Sequence, residues 1–344
     1  MSRDPDDSQL DPATDTASPA VSIVTVYYNR VDHVANSIQS LLDQSLTNIE
    51  IIAVDDGSND GTVAALKNFT DPRLRIIEQK NAGFVVAINH AIRASRGRYI
   101  AIHGSGDISF PGRIAAQSAV LDSMPSVGVV GCYVQNQDPF DPSRFDYFKP
   151  KNGLNFFQAL IKEALFTHGE VMFRRQLFDQ VGGYREFFRF AQDRDLWLRM
   201  SRLTSYYIVP EPLYKRFKLN DGVGTSVEKL MLQGLLSDFA VQCALSREGS
   251  GKDLLDRFGA VAPLLRTRSR ALAVRYCGFA RQMLFAGKLT EARRMLAAAE
   301  AEKLMLKIYY LAAMVWTQSR APWMWLVIRP VLLGTMRMRE KLRT

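Results

Sequence analysis

The chain has 344 residues, 47% of them hydrophobic, with a formal charge of +9, the composition of a soluble globular protein with room for one large domain and a smaller one. Its three cysteines, Cys132, Cys243 and Cys277, are odd in number and far apart, which excludes a disulfide framework and points to core thiols in a reduced compartment. The charge is uneven: residues 1–20 carry five Asp against one Arg, while residues 225–344 carry twenty Lys and Arg against nine Asp and Glu. A basic surplus suits nucleic acid, anionic lipid, a phosphorylated substrate or a solvated face. Here the cations alternate with aliphatic helix positions rather than exposed aromatics, which argues against nucleic acid.

Residues 1–20 are rich in Asp, Pro, Ser and Thr with no apolar stretch, predicting a disordered acidic tail and no signal peptide. Residues 21–26 are β-branched and apolar, 27–30 break the pattern, and Val34, Ile38, Leu41 and Leu42 recur at helical spacing, giving strand, loop, helix. A strand over 49–54 runs into Asp55-Asp56-Gly57-Ser58, before a helix over 63–69. A strand over 74–78, a helix over 81–94 and a strand over 99–102 follow. This alternation predicts βαβ units and a mostly parallel sheet, with ligands at the strands' carboxyl ends.

Beyond Arg113 the alternation loosens into a helix to about 124, a strand over 127–134, a polar and aromatic loop over 135–152 and a helix over 156–165. From 226 onward every pattern is helical, with turns expected at 249–251 and 321–322 and a helix-turn-helix unit over 284–299. The apolar stretches 305–316 and 323–333 are shorter than the roughly 20 residues a membrane-spanning helix needs. The segment 320–344 combines two Trp with several Arg and Lys, a composition suited to an anionic membrane surface or to a helix buried on the preceding bundle.

Several residues invite two readings. Asp56, at a strand end before Gly57 and Ser58, can accept from a base N–H, or it can cap the next helix with Asp55 and Asp60. Asp193, near a helix start in FAQDRDLWLRM, is a cap, or in a cleft a general base for a hydroxyl nucleophile. His168, Arg174 and Arg175, and likewise Lys215 and Arg216, can meet an anion or form a solvated basic tip.

The order VSIVTVYYNR, IEIIAVDDGSNDGT, NAGFVVAINHAI, SRGRYIAIHGSGDISFPGRI, HGEVMFRR, VGGY, AQDRDLWLRM and PLYKRF resembles a family 2 glycosyltransferase of the GT-A fold, over roughly residues 20–225. The resemblance implies an α/β architecture, Rossmann-like with a mostly parallel sheet and flanking helices, over 21–225. The tail 1–20 precedes it, and a basic α-helical C-terminal region, 226–344, follows. It further implies an inverting, nucleotide-sugar-dependent transferase. Val26, Tyr28 and Asn29 would line the nucleotide pocket, Asp56 would bind the base, and Asn81, Gly83 and Asn89 would lie beneath the donor. Ser105 and Asp107 would sit at the diphosphate. Asp193 falls on the catalytic-base position, with Gln192 in place of the usual Glu.

The departure lies at 103–107. The family reads Leu-Asp-x-Asp-Asp there, and this chain reads His103-Gly104-Ser105-Gly106-Asp107. The metal-holding carboxylates of that signature are absent, which leaves three alternatives. Asp107 takes over a metal site for Mg²⁺ or Mn²⁺ with His103 or His168; Arg113, Arg174, Arg175 or the Lys215-Arg216 pair neutralises the diphosphate without metal; or the chain is a non-catalytic nucleotide-sugar or partner-binding protein. The leading expectation is transfer from a UDP- or dTDP-type donor to a hydroxyl of a glycan or lipid-linked acceptor in surface polysaccharide synthesis, in the cytoplasm or peripherally on the inner membrane face, with no nucleic acid partner.

Overall fold

The computed structural model describes residues 18–138, 141, 143–162, 164–217, 226–247, 251–322 and 324. The expected acidic tail up to residue 17, most of the turn expected at 249–251 and the part of the segment 320–344 beyond 324, with its two readings, lie outside the described residues.

Strands β1 (Val21–Tyr27) and β2 (Ile49–Asp56) are buried along their whole length, as continuous apolar runs in a doubly covered sheet should be. With β3 (Leu74–Gln79) and β4 (Tyr99–Gly104) they form a parallel set in the order β3-β2-β1-β4. The connections are α1 (Val31–Leu42), α2 (Thr62–Lys67) and α3 (Phe84–Ala94). Because successive strand residues point to opposite faces, Val24 and Val26 join a core with Val85, Ile88 and Ile92 of α3, while Val21 and Ile23 join one with Leu41 and Ile114.

The other half of the sheet is mixed. β8 (Met172–Arg174) runs antiparallel to β4 and to β6 (Val127–Gln137), and β9 (Ser205–Phe217) runs parallel to β6. The short β5 (Ile108–Ser109) pairs antiparallel with β9 at the far edge. Only residues 105–107 separate β4 from β5, yet β8, β6 and β9 lie between them in the strand order. The sheet must therefore curl, and the loop 105–107 closes the gap at the carboxyl ends of the strands.

The stretch expected as a loop over 135–152 contains β7 (Phe145–Phe148), which pairs with the end of β6. Gln135, Asn136 and Gln137 extend β6 because β7 and β9 flank them and satisfy their backbone, so polar side chains there hide a strand. Four helices pack around this half: α4 (Arg113–Ser123), α5 (Phe156–Lys162), α6 (Arg175–Val181) and α7 (Gln192–Met200).

The C-terminal part comprises α8 (Val227–Leu245), α9 (Leu254–Phe258), a 3-10 helix (Gly259–Leu265), α10 (Arg270–Phe285), α11 (Leu289–Glu302) and α12 (Leu306–Arg320). α8 serves two cores. Leu236, Phe239 and Cys243 enter the sheet's core with Phe188 and Trp197, while Val227 and Leu230 pack on Leu272, Tyr276 and Met295. Among the described residues no helix is long and apolar enough to cross a membrane.

Candidate active site

The loops after β1 and β2 are tied together where the strands end side by side, Tyr27 against Asp55. Asn29 sits at a φ of 52°; its amide oxygen accepts the Asn59 N–H at 2.9 Å and its own N–H donates to Ser58 Oγ at 2.9 Å. The Asp56 carboxylate accepts from Gln79 Nε2 at 2.8 Å and from the N–H groups of Ala82 and Gly83 at 2.9 Å each. An ionised carboxylate has about four lone-pair sites, so Asp56 fixes the loop over 81–83 and keeps one site for a further donor. Neighbouring Asp55 accepts the Ser58 N–H at 2.9 Å and leaves Oδ1 buried without a partner. Tyr28 is exposed, whereas the Val26 side chain is in the core, so Val26 offers the cleft only its backbone. Asn81 and Gly83 line a cavity of about 510 Å³ with Phe84 and Arg189.

At 104–107 the chain has rebuilt its surroundings around the missing carboxylates. A Cβ on Gly104 would lie 2.5 Å from Asp107 Oδ2, so the Asp107 carboxylate already occupies the room a side chain at 104 would need. Gly106 adopts φ +107°, and a Cβ there would stand 3.2 Å from the His33 side chain, a conformation an aspartate adopts only with strain. Asp107 accepts the Tyr214 hydroxyl at 2.7 Å and the Phe217 N–H at 2.9 Å, and Tyr214 Oη in turn accepts the Gly104 N–H at 2.9 Å. Burial raises the Asp107 carboxyl to about 6, against the opposing pull of these bonds and of the Arg216 charge.

His103 is buried between Ser37 Oγ at 3.0 Å and Ser109 Oγ at 3.2 Å, and burial, then Arg113, push it down to about 3. With both ring nitrogens engaged it is no ligand. Ser105 is half-buried in the loop itself. These residues do not fit a divalent cation, which needs several oxygen ligands. One carboxylate is present with both oxygens bonded, and among the described residues no group of three His, Cys, Asp or Glu could hold an ion.

Asp193 is the second residue of α7, and its Oδ1 accepts the Arg194 N–H at 2.8 Å. It lines a cavity of about 390 Å³ with Arg194, Trp197, Arg216, Ser237 and Arg275, so the C-terminal helices wall the space in front of it. Beside it, His168 Nε2 pairs with the Tyr184 hydroxyl at 2.8 Å. Burial lowers the His168 pKa while the Asp193 charge opposes the shift. His168 thus sits neutral within a frame of Phe84, Tyr184 and Trp197 rings.

Four of the cations expected to meet an anion have other partners. Arg174 gives Nε to Val127 O at 3.0 Å and Nη2 to Leu121 O at 2.5 Å, and Arg175 donates to Gly97 O, Ile92 O and Ser95 Oγ. Both staple helix ends and leave the cleft. Arg113 is fully buried, bonded to Ile102 O, Ser109 Oγ and Gln117, and supports the floor instead. Asn89 clamps the Tyr184 backbone with both amide atoms, at 2.9 and 3.1 Å, so its polar atoms are spent on positioning Tyr184. Strand alternation separates the last pair: Tyr214 and Arg216 share a face towards Asp107, and Lys215 points away to stand over the Phe217 ring at 5.2 Å. In the sequence Arg194 shows only as a charged neighbour of Asp193, Tyr214 only through its i, i+2 spacing with Arg216, and Arg275 through no motif.

The curled sheet with flanking helices is GT-A-like, and it presents an acidic residue, Asp193 at the start of α7, to the cavity. The model for Glycosyl transferase family 2 matches residues 22–182. The chain is 33% identical over 208 residues to the putative glycosyltransferase EpsE of Bacillus subtilis, covering 58% of this chain and 73% of that one. It is 28% identical to the chondroitin synthase of Escherichia coli over 71% of its own length but only 35% of the relative's. In fold it resembles the mannosyltransferase PcManGT of Pyrobaculum calidifontis, solved with GDP-Man and Mn²⁺, at a TM-score of 0.54 and 20% identity, covering 92% of this chain and 86% of that one. The chain belongs to glycosyltransferase family 2.

Proposed function

We propose that this glycosyltransferase moves a sugar from a nucleoside-diphosphate donor to a hydroxyl of a glycan or lipid-linked acceptor in surface polysaccharide assembly, with inversion at the anomeric carbon. The carrying observation is that Asp193 and Arg216 line one cavity while Arg216 also faces Asp107, which joins a base to the diphosphate side of the cleft. Asp193 takes the acceptor's hydroxyl proton; the oxygen forms its bond to the anomeric carbon as the bond to the diphosphate oxygen breaks, and the nucleoside diphosphate leaves with that electron pair. Asp56, with one lone-pair site left, reads the base, a uracil- or thymine-type N–H being the fitting donor. The Arg216 guanidinium and the backbone of the 104–107 loop balance charge on the departing diphosphate.

Support for a nucleotide sugar comes from the ligand named with PcManGT, and for polysaccharide synthesis from a relative named a chondroitin synthase. The reduced, buried cysteines support a cytoplasmic enzyme, acting peripherally at the inner membrane face. The test is calorimetric titration of UDP, dTDP and GDP with Mg²⁺, with Mn²⁺ and with EDTA, beside transfer assays of Asp193→Asn. Nucleotide binding should survive EDTA, and Asp193→Asn should lose about 10²–10⁴-fold in transfer with binding unchanged. Binding that needs metal, or full activity in Asp193→Asn, overturns these assignments.

A further inference from the structure

We propose that the acceptor is an acidic glycan whose carboxylate or phosphodiester groups sit in a guanidinium-lined trough leading away from Asp193 between α5, α8 and α10. The proposal rests on the transferase reading for the place of the reacting hydroxyl.

Arg194 of α7, Arg216 of β9 and Arg275 of α10 meet at the Asp193 cavity, whose lining holds a single carboxylate against these three cations. Arg194 gives Nη2 to Leu160 O at 2.6 Å but leaves Nε buried without an acceptor; Arg216 Nε and Trp197 Nε1 are in the same condition. Trp197 is only 2% exposed. Three residues of one cavity thus carry N–H groups that the protein itself does not pair, and guanidinium groups of this kind suit a ligand rich in acceptor oxygens. Asp238 acts on Arg194 and Arg275, yet it already lies 3.6 Å from Arg266 and accepts Gln242 Nε2 at 2.7 Å. Burial and then the neighbouring Arg275 charge lower Arg194 to about 10, with Asp193 and Asp238 opposing the shift.

A second space of about 810 Å³ shares Arg194, Ser237 and Arg275 with the first and adds Lys162, Arg268 and Arg270 against one carboxylate, Asp238. Two adjoining spaces with this surplus of cations fit a chain with repeated negative groups, since the planar guanidinium fork matches carboxylate and phosphate oxygens. Arg216, on the Asp107 side, is left for the donor's diphosphate.

The test uses the full chain and calorimetry at low and high salt. The probes are a uronate hexasaccharide, a glycerol-phosphate oligomer, maltohexaose and a single-stranded oligonucleotide, with UDP and GDP titrated into the same samples. The acidic glycans should bind in a salt-sensitive way and maltohexaose should not, and the tighter of the two acids identifies carboxylate or phosphodiester as the group recognised. Arg275→Gln should weaken that binding by about tenfold, while Arg293→Gln on α11 should not. If Arg275→Gln does not fold, Arg268→Gln with Arg270→Gln replaces it. Maltohexaose binding as tightly as the acids, or acid binding unchanged in a folded trough variant, overturns the proposal. So does an oligonucleotide that binds as tightly and loses as much in Arg275→Gln. Nucleotide binding without acid binding defeats this inference alone, whereas acid binding without nucleotide binding defeats the transferase reading.

Discussion

Asp107 bears the consequence of both glycines before it. Its carboxylate fills the space beside Gly104 and is capped by Tyr214 and Phe217, so the loop is held by the one acid that remains. With its carboxyl raised by burial to about 6 from 3.8, the folded chain keeps a proton the unfolded chain has released between those values. Stability therefore falls as pH rises through that window, by on the order of 2–3 kcal/mol in full. His103 acts in the opposite sense: lowered to about 3 from 6.5, it contributes stability that is lost as pH falls through that range. The two slopes overlap, so the informative quantity is a difference between chains. Asp107→Asn, whose amide keeps only one of the two accepted bonds, should compare more favourably with the parent at about pH 8 than at about pH 4, read from urea unfolding. An equal effect at both values would show that the carboxyl titrates normally. Asp193 makes a contrast, since its Oδ1 is engaged only by the adjacent Arg194 N–H and the carboxylate fronts an open cavity.

At the scale of elements, the contact between the turn after β2 and the loop before α3 governs the nucleotide side. Gly57 has φ +79°, and a Cβ there would lie 2.6 Å from Asn81 N. Gly57→Ala should cost about 1–3 kcal/mol and, by displacing the loop that Asp56 holds, weaken nucleoside diphosphate binding, both measurable by thermal melts with and without ligand. Unchanged affinity would disconnect the turn from the pocket. Such local pieces were legible in sequence. Apolar runs marked β1, β2 and β4, and Asp60 caps Thr62 N–H at 3.0 Å as its residue type suggests. Elements set by distant partners were not. The polar end of β6 is a strand only because β7 and β9 flank it. Arg175 reaches carbonyls about 80 residues earlier in the chain, at Gly97 and Ile92, and no spacing rule announces that. Within α7, period alone separates the acids: Asp193 meets the cleft, whereas Asp195, two residues on, is buried between Arg185 and Arg199.

The whole molecule is joined through that same Asp195. Arg185 binds it and also reaches Asp253 at 2.8 Å and Asp256 at 3.4 Å, the capping-box residues of α9. Asp195 and Asp253 are 2% and 1% exposed, so this one guanidinium neutralises buried acids from both halves of the chain. α8 adds an apolar joint, with Phe239 centred 6.2 Å from Phe188. It also brings Ser237 to the Asp193 cavity, and α10 brings Arg275. The Asp193 cavity, walled by both parts, cannot keep its shape if they melt separately, so a division at 225/226 describes topology better than stability. Calorimetry of the full chain should then show one transition. Arg185→Ala, which leaves the buried Asp253 without its cation and Asp195 with Arg199 alone, should lower that transition as a whole by about 3–5 kcal/mol and not split it. The apolar contact of α8 with the sheet core is untouched by that change and keeps the halves together. Two resolved transitions in the parent chain would mean that the helical part folds alone, and that its wall of the Asp193 cavity is a surface docked on a finished α/β part.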